Sequence, residues 1–299
     1  MSTRKIIIAT LTIIFSLQIG FTVAQVKNEY AKEIEDWKSK RQTNLKAENG
    51  WLNLAGLFWI EEGEQTFGSD SKNNFQFPQG KIPAVAGKIY RNNNTVYLIP
   101  EKSVDFMIDG KKVSDSTLIF GKQIAAPVIA YGSLRFSIIK RGDKLGIRLR
   151  DLTSSNVSNF KGIERFPTDS NWRVAASLIK NNPLTSIAIT NVLGQTNETP
   201  YGGKIAFTIN NVRYTLDAID EGNDVLIVFG DKTTGKTTYH GGRFISIPKN
   251  QLSDSFYVDF NKAYNPPCVF TPYATCPLPP AQNILPIAVT AGEKNYGNH

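Results

Sequence analysis

From Trp51 onward, apolar residues recur at every second position in short runs, and Asn-Gly, Asp-Gly and Pro-containing turns cut each run before a helix could form. Strands are expected at Trp51 to Trp59, 96–99, 106–108, 134–139, 146–149, 205–209, 225–229, 244–247 and 256–260, with Asp109-Gly110 and Gly142-Asp143 as hairpin turns. Only residues 26–46 read as a helix, with Val26, Tyr30, Ile34, Trp37 and Leu45 on one stripe and Asn49-Gly50 as its stop. The fold class is therefore mainly β. An N-terminal amphipathic helix precedes a β-sandwich and a second antiparallel β unit that contains a Pro-rich irregular segment.

Composition narrows the function classes. With 41% hydrophobic and 20% charged residues over 299 positions, the chain is neither disordered nor a multi-span membrane protein. It has only two His, which leaves little for His-rich metal sites or a Ser-His-Asp triad; such a triad would have to use His240. No cofactor and no metal is expected.

Arg4-Lys5, the apolar run from Ile6 to Phe15 and Thr22-Val23-Ala24 read as a secretory signal over 1–24, cut after Ala24, with an uncleaved anchor as the alternative. The chain is thus expected to be exported, periplasmic or secreted, with no stable membrane span after cleavage. Its net charge of +8 is modest, and nucleic acid is not an expected partner. In an oxidising compartment Cys268 and Cys276 become a candidate disulfide. Buried free thiols and a redox pair are the alternatives, although seven intervening residues do not make a Cys-x-x-Cys motif.

The expected domains are the signal at 1–24, the helix at 25–48, a sandwich at 49–120 and a C-terminal β unit at 121–299. Thr66-Phe67-Gly68-Ser69-Asp70, Phe75-Gln76-Phe77-Pro78, Gly87-Lys88-Ile89 and Asp109-Gly110-Lys111 resemble the forkhead-associated β-sandwich in their order of turns and strands. That resemblance implies a scaffold only. Gly68 is followed by Ser69, and the next element reads Pro83-Ala84-Val85-Ala86-Gly87, so the phosphopeptide-binding residues have no counterpart. A wider resemblance runs through Trp51 to Trp59, Arg148-Leu149-Arg150-Asp151, Gly242-Arg243, the stretch from Asp259 to Pro277 and Ala291-Gly292-Glu293. It is similar to the family known as domain of unknown function 1684, which implies no activity.

Three constellations could carry chemistry. The segment 121–150 holds Lys122, Arg135, Lys140, Arg141, Lys144, Arg148 and Arg150 against Asp143 alone. A two-residue turn at Gly142-Asp143 pairs Ser137 with Arg148 and Arg135 with Arg150, which gathers Arg135, Arg148 and Arg150 on one face. Such a face is solvated, satisfied by carboxylates, or a site for an oxyanion. The segment 259–276 alternates Asp259 and Asn261 with Phe260 and then enters Tyr264-Asn265-Pro266-Pro267, a rigid path that suits a pocket wall or a cap over a sheet edge. For acid–base work Asp259, Glu293, Asp151 and Asp231 are candidates, with Tyr264, Tyr239 or Tyr273 as proton donors and Arg243 or Arg150 as charge stabilisers; Asn261, Asn265 and Tyr239 could bind substrate.

Two formal matches carry less. Gly230 to Thr237 fits the Walker A expression, but Thr238-Tyr239-His240-Gly241-Gly242 follows where a phosphate-binding helix is required. Asp217, Asp220, Glu221 and Asp224 read as a solvated loop, with calcium as the alternative. Two functions stay open: a metal-independent hydrolase or lyase on a small anionic or sugar-like substrate, or a non-catalytic cell-envelope module that binds a glycan or a protein. The oligomeric state is unassigned.

Overall fold

A computed structural model describes residues 28–113, 115–122, 124, 126–179 and 184–297. The expected signal segment lies outside them. No helix among the described residues is long and apolar enough to cross a membrane. The chain forms two compact units, one from 44–162 with Pro267–Cys276, the other from the described parts of 1–43, 163–266 and 277–299.

The first, the sandwich unit, has two sheets. One runs in the order Leu54–Trp59, Lys144–Asp151, Leu134–Arg141, Ile129–Tyr131, Phe106–Ile108 and Lys111–Val113, and the other in the order Phe75–Gln76, Gly63–Gly68, Gly87–Asn92, Thr95–Pro100 and Thr117–Phe120. Phe67 from the second sheet meets Phe106 and Phe136 from the first, with ring centroids 5.6 and 5.9 Å apart. Together with Phe77 these rings are essentially closed to solvent. Each buried Phe stabilises the fold by about 1.5–3 kcal/mol, as does each of the larger aliphatic side chains packed around it.

The hairpin turns lie where the sequence puts them. Asp109 and Gly110 both have positive φ, 50° and 74°, as a type I′ turn needs. Gly142 has a φ of 57°, and Arg141 pairs with Lys144, Ser137 with Arg148 and Arg135 with Arg150. A unit boundary at residue 120 does not match this pairing. Phe106–Ile108 pairs with Ile129–Tyr131, which pairs with Leu134–Arg141, so the Arg-bearing hairpin belongs to the sandwich. The hairpin's other strand, Lys144–Asp151, also takes Leu54–Trp59 as its neighbour, which buries Ile147 and Leu149 inside the sheet.

The second, discontinuous unit has one antiparallel sheet in the order Arg243–Pro248, Asp224–Phe229, Val212–Asp220, Thr196–Ile209, Arg173–Leu178 and Phe256–Asp259; Ser186–Thr190 pairs with the start of Thr196–Ile209. Ile205, Phe207, Ile227, Phe229, Val258 and Phe260 form its core. The helix spans residues 28–46; in this unit it buries Tyr30 and Ile34 and half-buries Trp37. Val26 lies outside the described residues. Asp217 and Asp220, read from the sequence as part of a solvated loop, lie in the strand Val212–Asp220, because Asn210 and Asn211 at φ 51° and 63° make a tight hairpin turn ahead of it.

Candidate functional site

The acid–base candidates of the discontinuous unit are held by their neighbours. Asp259 ends the strand Phe256–Asp259 and caps the next turn, accepting from the Asn261 amide at 3.0 Å. Tyr30 donates its hydroxyl to the carboxylate, 3.0 Å from Oδ1 and 3.1 Å from Oδ2, and Asn261 Nδ2 reaches Oδ1 at 3.2 Å and the Tyr30 hydroxyl at 2.8 Å. Burial pushes the Asp259 carboxyl above the ordinary Asp range, against these bonds, and pushes the Tyr30 hydroxyl up as well. Asn261 also donates to the Asp169 carbonyl at 2.8 Å, and its Oδ1 accepts from the Asp169 amide. The result is a closed knot between the helix and the end of the sheet.

Glu293 is fully buried. Its Oε1 accepts from Arg41 Nε at 3.2 Å and Arg165 Nη1 at 3.0 Å, and its Oε2 from the Asn265 amide at 2.6 Å. Gly292, at a φ of 79° and so near Ala263 that a Cβ would lie 2.5 Å from that carbonyl, turns the chain to deliver it. Arg41 lies 4.6 Å over the Tyr264 ring and Arg165 4.9 Å over the Trp37 ring. Burial pushes the Tyr264 hydroxyl up to about 12. Asn265 donates Nδ2 to the Lys294 carbonyl at 2.7 Å. Both Glu293 oxygens are therefore engaged by partners within the chain.

The third carboxylate, Asp231, forms an ion pair with Arg243 at 2.8 Å in which neither side chain is exposed. Arg243 also donates to the Val289 carbonyl at 2.9 Å and to the Ala291 carbonyl, which ties the last segment to the sheet. The other Asp231 oxygen accepts from the Thr233 amide at 2.7 Å and hydroxyl at 2.6 Å. Residues 230–237, the Walker-like segment, are thus a self-capped turn, and no helix follows them among the described residues. Tyr239 is buried against His240. Asp217 lies in a strand rather than a solvated loop. Although burial opposes its ionisation, Lys204 at 2.7 Å, Tyr201 at 2.6 Å and Gln282 at 3.0 Å hold its carboxyl below the ordinary range. An open groove of about 720 Å³ on this unit is lined by Asp169 to Ala175 and Thr208 to Asn210, none of which was expected in a site.

The remaining candidates belong to the sandwich unit. Asp151 is the last residue of its strand. Burial opposes its charge, but Ser133 at 2.7 Å, the Thr153 amide at 3.0 Å and hydroxyl at 2.8 Å, and Lys81 at 3.5 Å hold the carboxyl below the usual range. Arg135 is neutralised by Glu48 at 2.8 Å. Arg150 donates to the Asn49 carbonyl at 3.2 Å and the Gly50 carbonyl at 3.5 Å, on the turn that follows the helix. Of the arginines expected to bind an anion, Arg135, Arg150 and Arg243 thus have acceptors within the chain.

Arg148 differs from these. It is half-buried between its neighbours and makes no hydrogen bond or ion pair with any described residue; its Nε is shut away from solvent without a partner. The guanidinium lies 5.4 Å over the Trp51 ring. Burial, and then the charges of Arg141 and Arg150, bring its pKa down to about 10, so it is still a cation at neutral pH. Arg141, not singled out from the sequence, donates Nε to the Thr275 hydroxyl at 3.2 Å.

Thr275 belongs to Pro267–Cys276, a rigid segment that starts with a 3-10 turn at Pro267–Val269. The structure holds Cys268 and Cys276 as free thiols, so the expected disulfide is not formed. The two are nonetheless matched. The Cys268 amide donates to Cys276 Sγ at 3.1 Å, and the Cys276 amide to Cys268 Sγ at 3.4 Å.

The acid–base and anion-binding residues expected from the sequence thus divide. Asp259, Glu293, Tyr264, Arg243, Asn261, Asn265 and Tyr239 belong to the discontinuous unit, and Asp151, Arg135, Arg148, Arg150, Cys268 and Cys276 to the sandwich unit. Sequence reasoning missed Arg41 and Arg165, which pair with Glu293, and Tyr30, which hydrogen-bonds Asp259. Tyr30 was legible only as part of an apolar stripe, and Arg41 as part of a polar helix face.

Against this geometry, comparison with known proteins gives one family. Residues 158–294 match the family described as "Protein of unknown function (DUF1684)". That segment is similar to this family. The matched stretch contains the Asp259, Glu293 and Arg243 knots and the Pro267–Cys276 segment, while the Arg-bearing hairpin precedes it. An uncharacterized protein of Haloarcula marismortui, solved by NMR, is 32% identical over 46% of this chain and 78% of its own, with a TM-score of 0.37. No curated protein matches.

Proposed function

We propose that the protein is a non-catalytic module that binds a small oxyanion, a carboxylate, phosphate or sulfate group, on the face of the sandwich unit that carries Arg148. One observation carries the reading: a half-buried guanidinium with no carboxylate partner among the described residues, between two further arginines and over an indole ring. Removing a cation from water without a counter-charge costs stability, which the buried Asp231, Arg243 and Glu293 recover through ion pairs. An oxyanion from solution would supply the missing bonds in the bidentate geometry that guanidinium favours, with Arg141 as second donor. The Trp51 ring beneath Arg148 also suits a ligand with a flat or sugar-like body.

The acid–base reading is the weaker one, since Asp259, Glu293 and Asp231 are saturated by Tyr30, by Arg41 with Arg165, and by Arg243. Calorimetric titration with inorganic phosphate, sulfate and glucuronate at constant ionic strength tests the module. Saturable binding by at least one of them is expected, weakened about tenfold or more in Arg148→Gln, as loss of a charge-assisted hydrogen bond implies. Equal affinity of parent and variant for all three would overturn it.

A further inference from the structure

We propose that Cys268 and Cys276 are a reversible dithiol–disulfide couple that sets the affinity of the Arg148 anion site; the second half of this proposal rests on the reading of that site given above. The geometry of the segment is that of a pair arranged to bond. Each cysteine's amide points at the other's sulfur, at 3.1 and 3.4 Å, so the backbone holds the two residues across from each other without a covalent link. Pro267, Pro272 and Pro277 lie in or beside the segment and restrict its backbone, which lowers the entropy lost on closing the pair. The fully buried Asn265 just before it, anchored to Glu293 and Lys294, fixes the approach of the chain.

The two sulfurs are not equivalent. Cys268 is half-buried and Cys276 buried, so a reagent from solution meets Cys268 first. The hydrogen bond from the Cys276 thiol lowers the pKa of Cys268, while that of Cys276 is raised by the same partner. Cys268 is therefore the attacking thiolate and Cys276 the resolving thiol. With a small disulfide RSSR as oxidant, Cys268 Sγ attacks one sulfur and expels RS⁻, forming a mixed disulfide. Cys276 then gives up its proton to the expelled thiolate and attacks Cys268 Sγ, releasing the second RS⁻, which is protonated from water. Two protein thiols and RSSR become one protein disulfide and two RSH, the two electrons ending on the small thiols.

The couple reaches the anion site through one residue. Thr275, adjacent to Cys276, accepts from Arg141 Nε at 3.2 Å, and the Cys276 sulfur is close enough to Arg148 for each to influence the other's charge. A bridge stiffens the segment that positions Arg141. The oxidised form then binds phosphate more tightly, because less ordering is left for the ligand to impose.

The test uses the full chain in glutathione buffers of graded ratio, with free thiols counted by alkylation and mass, and phosphate affinity measured by calorimetry on the fully reduced and fully oxidised forms. We expect a single transition from two free thiols to none, and a phosphate affinity about threefold to tenfold higher after oxidation, with no such gain in Cys276→Ser. Thiols that stay reduced at every ratio overturn the couple. A couple that oxidises without changing phosphate affinity overturns the coupling. Arg148→Gln separates the two readings: it keeps the thiol transition and loses phosphate binding. Absence of phosphate binding in both forms of the parent would overturn the anion site and the coupling together, leaving the thiol count to decide the couple alone.

Discussion

The two units treat buried charge in opposite ways. In the discontinuous unit each buried carboxylate has a dedicated partner: Asp231 has Arg243, Glu293 has Arg41 and Arg165, and Asp259 has Tyr30. In the sandwich unit Arg135 and Asp151 are similarly satisfied, yet Arg148, two residues before Arg150 on the same strand, has no carboxylate partner among the described residues. The contrast separates scaffolding from recognition. Charges that close the structure are matched within it, whereas a charge left unmatched at a half-buried position is what the proposed anion site rests on.

The largest effect should come from breaking a matched pair. Asp231→Ala strands Arg243 in a site closed to solvent and is expected to cost about 3–5 kcal/mol, read from the urea midpoint. A loss below about 1 kcal/mol would mean that the carbonyls of Val289 and Ala291 alone satisfy the guanidinium. Acid titration should sharpen the comparison next, because Asp259 and Asp151 are linked to pH with opposite sign. Asp259 has a raised carboxyl, so its contribution is full below the ordinary value of 3.8 and is lost as pH rises through its folded pKa. Asp151 has a lowered carboxyl; its contribution is present above 3.8 and is lost as pH falls through its folded pKa. Unfolding free energies from pH 3 to 7 should therefore show Asp259→Asn and Asp151→Asn departing from the parent at opposite ends of that range. Departures at the same end would break the comparison. The smallest effect is expected at the unmatched charge. Arg148→Gln removes repulsion from Arg141 and Arg150 while losing some packing on Trp51, so its urea midpoint should correspond to a change within about 0.5 kcal/mol of the parent. A large destabilisation there would make Arg148 structural.

Much of the fold was legible because period-two alternation and turn chemistry are local. The register of the Gly142-Asp143 hairpin followed from keeping Phe136, Ile138, Ile147 and Leu149 on one face, and the structure has that register. The 196–220 hairpin was harder to see. Its first strand begins with Thr196-Asn197-Glu198-Thr199 and carries a bulge near Gly202-Gly203, so no alternation marks it, although Asn210-Asn211 was a turn signal in plain view. The short strands Ile129–Tyr131 and Lys111–Val113 offer too few residues for a period to register, and with them went the boundary at residue 120.

The candidate site was legible as a list of residue types and illegible as a set of partners. The sequence by itself determined that this chain is mainly β, that its excess positive charge concentrates in residues 121–150, and that a rigid Pro-rich segment places two cysteines eight positions apart. These are properties of neighbours along the chain. Only tertiary structure decided that Arg135 meets Glu48, 87 residues away, that Glu293 is buried under Arg41 across 252, and that Arg148 meets no carboxylate among the described residues. Electrostatic pairing depends on distance in space and on the water excluded around it, and neither is encoded by proximity in sequence.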